Sequence, residues 1–168
     1  EVGTNGKMHE ASAAMALTSL DAMPEIVATN LGHARRYRAA LAGIPGITLL
    51  GSPDAPTNNG QYVVIRVEEH AAGIDRDALQ AVLAAENVLA RRYFHPGCHR
   101  LEPYRTERPD LHLPVTELAS REVLSLPTGT ALAADDVDAV AELVRTAVEQ
   151  AGLVRAHLDA TGRGDADA

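Results

Sequence analysis

Residues 91 to 105 read Arg-Arg-Tyr-Phe-His-Pro-Gly-Cys-His-Arg-Leu-Glu-Pro-Tyr-Arg, and they concentrate the side chains with which this chain could do chemistry. The whole sequence has four Tyr, one Phe and no Trp, yet Tyr93, Phe94 and Tyr104 all fall in this window. So do Arg91, Arg92, Arg100 and Arg105, two of the seven His (His95 and His99) and the single cysteine, Cys98. Pro96-Gly97 and Pro103 exclude a regular helix, so the window is predicted to be a loop dense in recognition chemistry. Loops held by rigid elements are where binding residues collect. The plainer alternative is a proline-rich connector whose rings plug the core.

Other chemistries fit these residues less well. His95 and His99 with Cys98 could ligate a metal, but zinc sites combine four ligands at recurring spacings. There is no second Cys, His112 has no support, and no metal site is expected. Cys98 as a nucleophile needs an activating base in electropositive surroundings. Arg100 and His99 are near in sequence, whereas a lone Cys more often serves packing. Gly97-Cys98-His99 lacks the first Cys of a haem-attachment motif. Gly3-Thr4-Asn5-Gly6-Lys7 stands just before a helical pattern. Exposed amides at a helix start, with Asn and Lys side chains, make an anion site, or else a plain N-terminal turn. The spacing is not that of a P-loop.

Composition narrows the rest. The chain of 168 residues is long enough for one domain with a real core. A formal net charge of −8 argues against a nucleic-acid surface. No apolar run approaches the ~18 residues of a membrane span. One Cys rules out an internal disulfide framework and fits a reducing, cytoplasmic compartment. The chain begins at Glu1, not Met, and is expected to be part of something longer, or processed.

The elements that must hold these residues can be read in order. A broad apolar stripe from Met8 to Leu20 predicts a helix that Pro24 breaks or kinks. A second helix is expected from Pro24 to Ala42, with Arg35, Arg36 and Arg38 on a solvated face. Ile47–Leu50 and the β-branched run Gln61–Val67 read as strands, the latter central. Ile74–Glu86 reads as an amphipathic helix capped by Asp75. Val88–Ala90 is expected to be a brief strand leading into the window. A short helix follows over 115–122, then a strand at Val123–Leu126 and a final helix from Ala134 to Ala151, with room in the pattern for it to continue to His157. This order predicts an α+β sandwich: a mostly antiparallel small sheet with helices on one face. The expected divisions are 1–46 (linking helices), 47–159 (small α/β domain) and 160–168 (flexible tail). The first helix is apolar over more than half its circumference, which calls for a partner outside this chain.

Three stretches together carry a family resemblance: Gly3 to Ala14; Tyr93 to His99 with Tyr104; and Leu113-Pro114-Val115-Thr116-Glu117 followed by Val123-Leu124-Ser125-Leu126-Pro127. In this order they resemble the C-terminal part of the DegT/StrS family of PLP-dependent sugar aminotransferases. The resemblance implies an aspartate-aminotransferase fold (fold type I), a homodimer, and amination of a keto group on a nucleotide-linked deoxysugar with glutamate or glutamine as donor. It implies that Asn5 reaches the PLP phosphate of the neighbouring subunit, with Lys7 beside it. Arg92, Tyr93, His95 and His99 would line the substrate pocket. Glu117 matches the acid of the family's Leu-Pro-x-x-Glu.

The chain departs from the family pattern at Gly6, in the sequence of the 93–99 loop and at Ala133, where a Ser or Thr cap is usual. The larger departure is that Lys7 is the only lysine. The Schiff-base lysine and the acid at the pyridine nitrogen lie upstream in the family, in a large domain. The chain is therefore expected to be an inactive small-domain fragment. The alternative is a free-standing, non-catalytic dimerisation or sugar-nucleotide-binding domain.

Overall fold

A computed structural model describes residues 6–55 and 58–161. Helix α1 (Glu10–Ala40) leads into strands β1 (Ile47–Leu49) and β2 (Val63–Val67). Helices α2 (Glu69–Ala72) and α3 (Arg76–Ala85) follow. A 3-10 turn (Cys98–Arg100) and the one-turn helix α4 (Tyr104–Glu107) occupy the aromatic window. Then come α5 (Pro114–Glu122), β3 (Val123–Leu126), α6 (Ala134–Glu149) and α7 (Ala151–Thr161).

The sheet is antiparallel throughout, in the order β1-β2-β3, with Ile47 opposite Val67 and Val63 opposite Leu126. Alternation along β2 buries Val63, Ile65 and Val67 on one face and leaves Val64 and Arg66 half-buried on the other. The buried face meets Tyr37 of α1 and Leu41 at its C-cap, Leu79 and Leu83 of α3, and Val137, Val140 and Val144 of α6 in one continuous core. This is the small antiparallel α+β architecture predicted from the order of elements.

Local chemistry accounts for the element ends. The Asp75 carboxylate accepts from the Ala78 N–H at 2.7 Å, so it caps α3 as predicted. Asn87, at φ 60°, turns the chain out of α3. Ala133 has no side-chain acceptor to offer α6. Asp136 instead reaches back to accept from the Ala133 N–H at 2.8 Å, half of a capping box. Gly46, at φ 70°, lets the backbone pass α2 so closely that a Cβ would lie 2.3 Å from the Ala72 nitrogen.

Several expectations are corrected. α1 is one helix of 31 residues that runs through Pro24. Pro24 is exposed, so the Leu20 carbonyl it leaves without a donor can bond water. Val88–Ala90 is not a strand, and only Arg91 bridges to Ser125 at the edge of β3. The window is not loop throughout, because Pro103 stands at the N-cap of α4, where a missing N–H costs nothing. The final helical stretch divides at Gln150, and its second part extends to Thr161. Residues 162–168 of the expected tail lie outside the described residues.

Candidate functional site

The window is anchored at both ends of its aromatic run. Arg91 exchanges two backbone hydrogen bonds of 2.9 Å with Ser125, which fixes the loop entry to the sheet. Beyond the loop, His99 is 7% exposed and places its Nε2 3.2 Å from Glu117 Oε1. That same oxygen accepts from Arg100 Nη2 at 2.7 Å and from the Leu113 N–H at 3.3 Å. Donation from Arg100, then from the Leu113 amide and His99, holds the Glu117 carboxyl down at about 2. With Nε2–H donating to a carboxylate, the neutral imidazole carries its lone pair on Nδ1. That Nδ1 is buried without a partner among the described residues, and a Cβ on Gly97 would lie 3.2 Å from it.

A cleft of about 270 Å³ opens beside this pair, with walls from Tyr93, Phe94, Gly97, His99, Thr116 and Val123. Phe94 is 71% exposed at its rim. The rings of Tyr93 and Phe94 lie 5.5 Å apart, and Tyr62 meets Tyr93 edge-on at 5.5 Å. Exposed rings next to an oriented imidazole suit a ligand with both flat apolar and hydrogen-bonding surface.

His95 has a different setting. Its Nδ1 lies 3.2 Å from the Ser120 carbonyl and 3.5 Å from Arg76 Nη2. Arg76 is 2% exposed and donates from Nη1 to the Ser120 and Val123 carbonyls, while Nε donates to Asp77 at 2.6 Å. Asp77 also lies 3.4 Å from Arg92 Nη1. His95 and Arg92 thus tie the loop to α3 and to the α5–β3 junction through a buried guanidinium. Cys98 is exposed, and among the described residues no group of three or more His, Cys, Asp and Glu is placed to hold a metal ion.

The structure therefore brings Arg92, Tyr93, His95 and His99 together but gives them different neighbours. Lys7 is not among them. It is exposed ahead of α1, whose 31 residues span ~46 Å at ~1.5 Å per residue. Asn5 lies outside the described residues. Sequence reasoning missed Arg76 and Asp77, and it left Glu117 unconnected to His99. Arg76 had a signal: it precedes Leu79 and Leu83 at the i, i+3, i+7 spacing of the buried face of α3. The Glu117 contact had none, because it joins residues 18 positions apart.

Comparison with known proteins points one way. Residues 1–145 match the DegT/DnrJ/EryC1/StrS aminotransferase family. The chain is 28% identical over 144 residues to dTDP-4-amino-4,6-dideoxy-D-glucose transaminase of Shigella dysenteriae, which covers 86% of this chain and 39% of that protein. It superposes with a TM-score of 0.85 and 47% identity on DesI, solved in the presence of its TDP-sugar product, over 92% of this chain and 40% of that one. DesV of S. venezuelae, in complex with a ketimine intermediate, matches at TM-score 0.77 and 29% identity over 88% of this chain and 38% of its own. The chain thus spans about two fifths of the length of these relatives. With the small antiparallel sheet and the paired motifs agreeing, the chain belongs to the DegT/DnrJ/EryC1/StrS aminotransferase family.

Proposed function

We propose that this chain is the C-terminal small-domain part of a PLP-dependent homodimeric aminotransferase, which aminates a keto group of a nucleotide-linked deoxysugar with glutamate or glutamine as donor. The observation that carries the reading is the contact between His99 and Glu117, which joins two separate family motifs at the cleft walled by Tyr93 and Phe94. The relatives support the substrate class, since one is a transaminase of a dTDP-linked amino sugar and another was solved with a TDP-sugar.

The residues present fit one end of the cofactor. Lys7 is an exposed ammonium with no ion pair among the described residues, free to meet a phosphate, and Asn5 would join it. No other lysine exists in the chain to hold the aldehyde carbon, so that bond belongs to the large domain expected upstream. In the complete enzyme the carbanion stabilisation comes from PLP. This chain's part is to bind and orient: Glu117 sets the tautomer of His99, Arg76 and Asp77 hold the loop, and Tyr93 and Phe94 shield the bound sugar nucleotide from water.

The test compares two polypeptides. The complete one, carrying an upstream lysine, is expected to show PLP absorbance and to aminate a dTDP-linked keto sugar with glutamate. The 168-residue chain alone is expected to do neither. A parent reading frame with no such lysine overturns the proposal and leaves a non-catalytic binding or dimerisation domain.

A further inference from the structure

Helix α7 lies beyond residues 1–145 of the family match and buries none of its residues. It leans on the core along one side only, the side that carries Ala151 and Val154. A helix of 11 residues is marginal by itself, so its uncovered faces call for a cover. On one flank Leu153 is 70% exposed and, with His157, overlooks a groove of about 300 Å³ that Ala81 and Ala85 of α3 help to line. On the other flank Arg155 and Asp159 border a separate cleft of about 210 Å³. They stand one turn apart, and neither forms an ion pair among the described residues. The carboxylates across that cleft are already engaged: Asp75 caps α3, and Asp77 meets Arg76 and Arg92. Between the two flanks Gly152, Ala156 and Ala160 face solvent.

We infer that a second copy of this chain covers α7, helix against antiparallel helix, about a two-fold axis near Ala156 and His157. The charges select this occupant because they complement themselves. A two-fold axis perpendicular to both helices reverses the chain direction and brings like flanks together. Arg155 of each copy then faces Asp159 of the other, and one pair of residues makes two ion pairs. A partner of uniform charge satisfies only one of the two groups. Parallel pairing sets the Leu153 flank of one copy against the charged flank of the other and matches neither. The antiparallel arrangement also lays Leu153 of each copy beside His157 of the other, at the mouth of the groove against α3, and takes an exposed leucine out of water. The short side chains between the flanks allow the two backbones to approach. The contact is one helix wide, so it is reversible and depends on concentration. It uses none of the apolar row at Met15, Leu17 and Leu20 of α1.

Sedimentation of the full chain tests this, with Leu17→Lys and Leu20→Lys present throughout to remove association through α1. That chain is expected to pass from monomer to dimer between low and high micromolar concentration. Arg155→Asp and Asp159→Arg each set like charges against one another across the axis, and each should weaken the dimer by about 10-fold or more. Mixing those two variants restores both ion pairs, and so does the double reversal within one chain, so either should recover the parent affinity. Leu153→Asp should weaken the dimer as well. Equal melting temperatures across the set show that the losses come from the contact and not from unfolding. A chain that stays monomeric at every concentration overturns the inference and leaves α7 to a different protein or to a small apolar ligand. A dimer whose affinity ignores both charge reversals overturns it too, as does a mixture of the two variants that fails to associate.

Discussion

Glu117 shows how much one side chain organises. Its Oε1 gathers Arg100, His99 and the Leu113 amide, and this holds its carboxyl at about 2 against an ordinary 4.5. The sign of the pH dependence follows. Because the folded value is lowered, the stabilisation is complete above about 4.5 and is lost as pH falls toward about 2. Glu117→Gln should therefore melt below the wild type at neutral pH, with the gap closing across that window in thermal unfolding curves. Arg76 gives the matching test in the interior. Arg76→Met takes the guanidinium donor from the Val123 carbonyl and leaves the Ser120 carbonyl only His95, at a cost of about 1–3 kcal/mol for an acceptor left buried. Urea unfolding checks that loss. Loosening of the loop at His95 should appear as faster amide exchange over residues 92–99.

At the scale of elements, α1 and α3 behave differently for a reason visible in their burial. α3 puts Leu79 and Leu83 wholly inside, so Leu83→Ala should cost about 2–5 kcal/mol by equilibrium unfolding. Removal of its cap in Asp75→Ala should cost about 1 kcal/mol. α1 is buried only at Asn30, His33, Ala34 and Tyr37. Its first half contributes nothing to the core, and Pro24 withholds one of its hydrogen bonds. Pro24→Ala is expected to slow amide exchange over residues 10–26 while leaving the global unfolding free energy nearly unchanged. An equal rise in global stability would show instead that this half is coupled to the core.

At the scale of the whole molecule, Met15, Leu17 and Leu20 stand more than half exposed along that same first half. A row of large apolar side chains facing water marks a surface that something else covers. In the proposed enzyme the cover is the remainder of the polypeptide and the second subunit. Leu17→Lys with Leu20→Lys should leave the melting of this chain alone unchanged and should destabilise or dissociate the complete protein, as read by sedimentation. No described helix is long and apolar enough to cross a membrane.

Local pattern determined most of the elements and the family. Alternation in 63–67, the Asp75 cap, the helical spacing of 137–148 and the three motif stretches are all short-range signals, readable because neighbouring residues impose them on one another. Pro24 misled for the same reason: propensity describes an isolated turn, and the helix on either side outweighed it. What tertiary structure alone decided is the wiring of the window. His99 meets Glu117, His95 meets Arg76, and Tyr93 meets Tyr62 because the chain folds back between 100 and 117 and because Arg91 docks on Ser125. Those meetings depend on side-chain directions across separate elements, and no spacing along the chain encodes them.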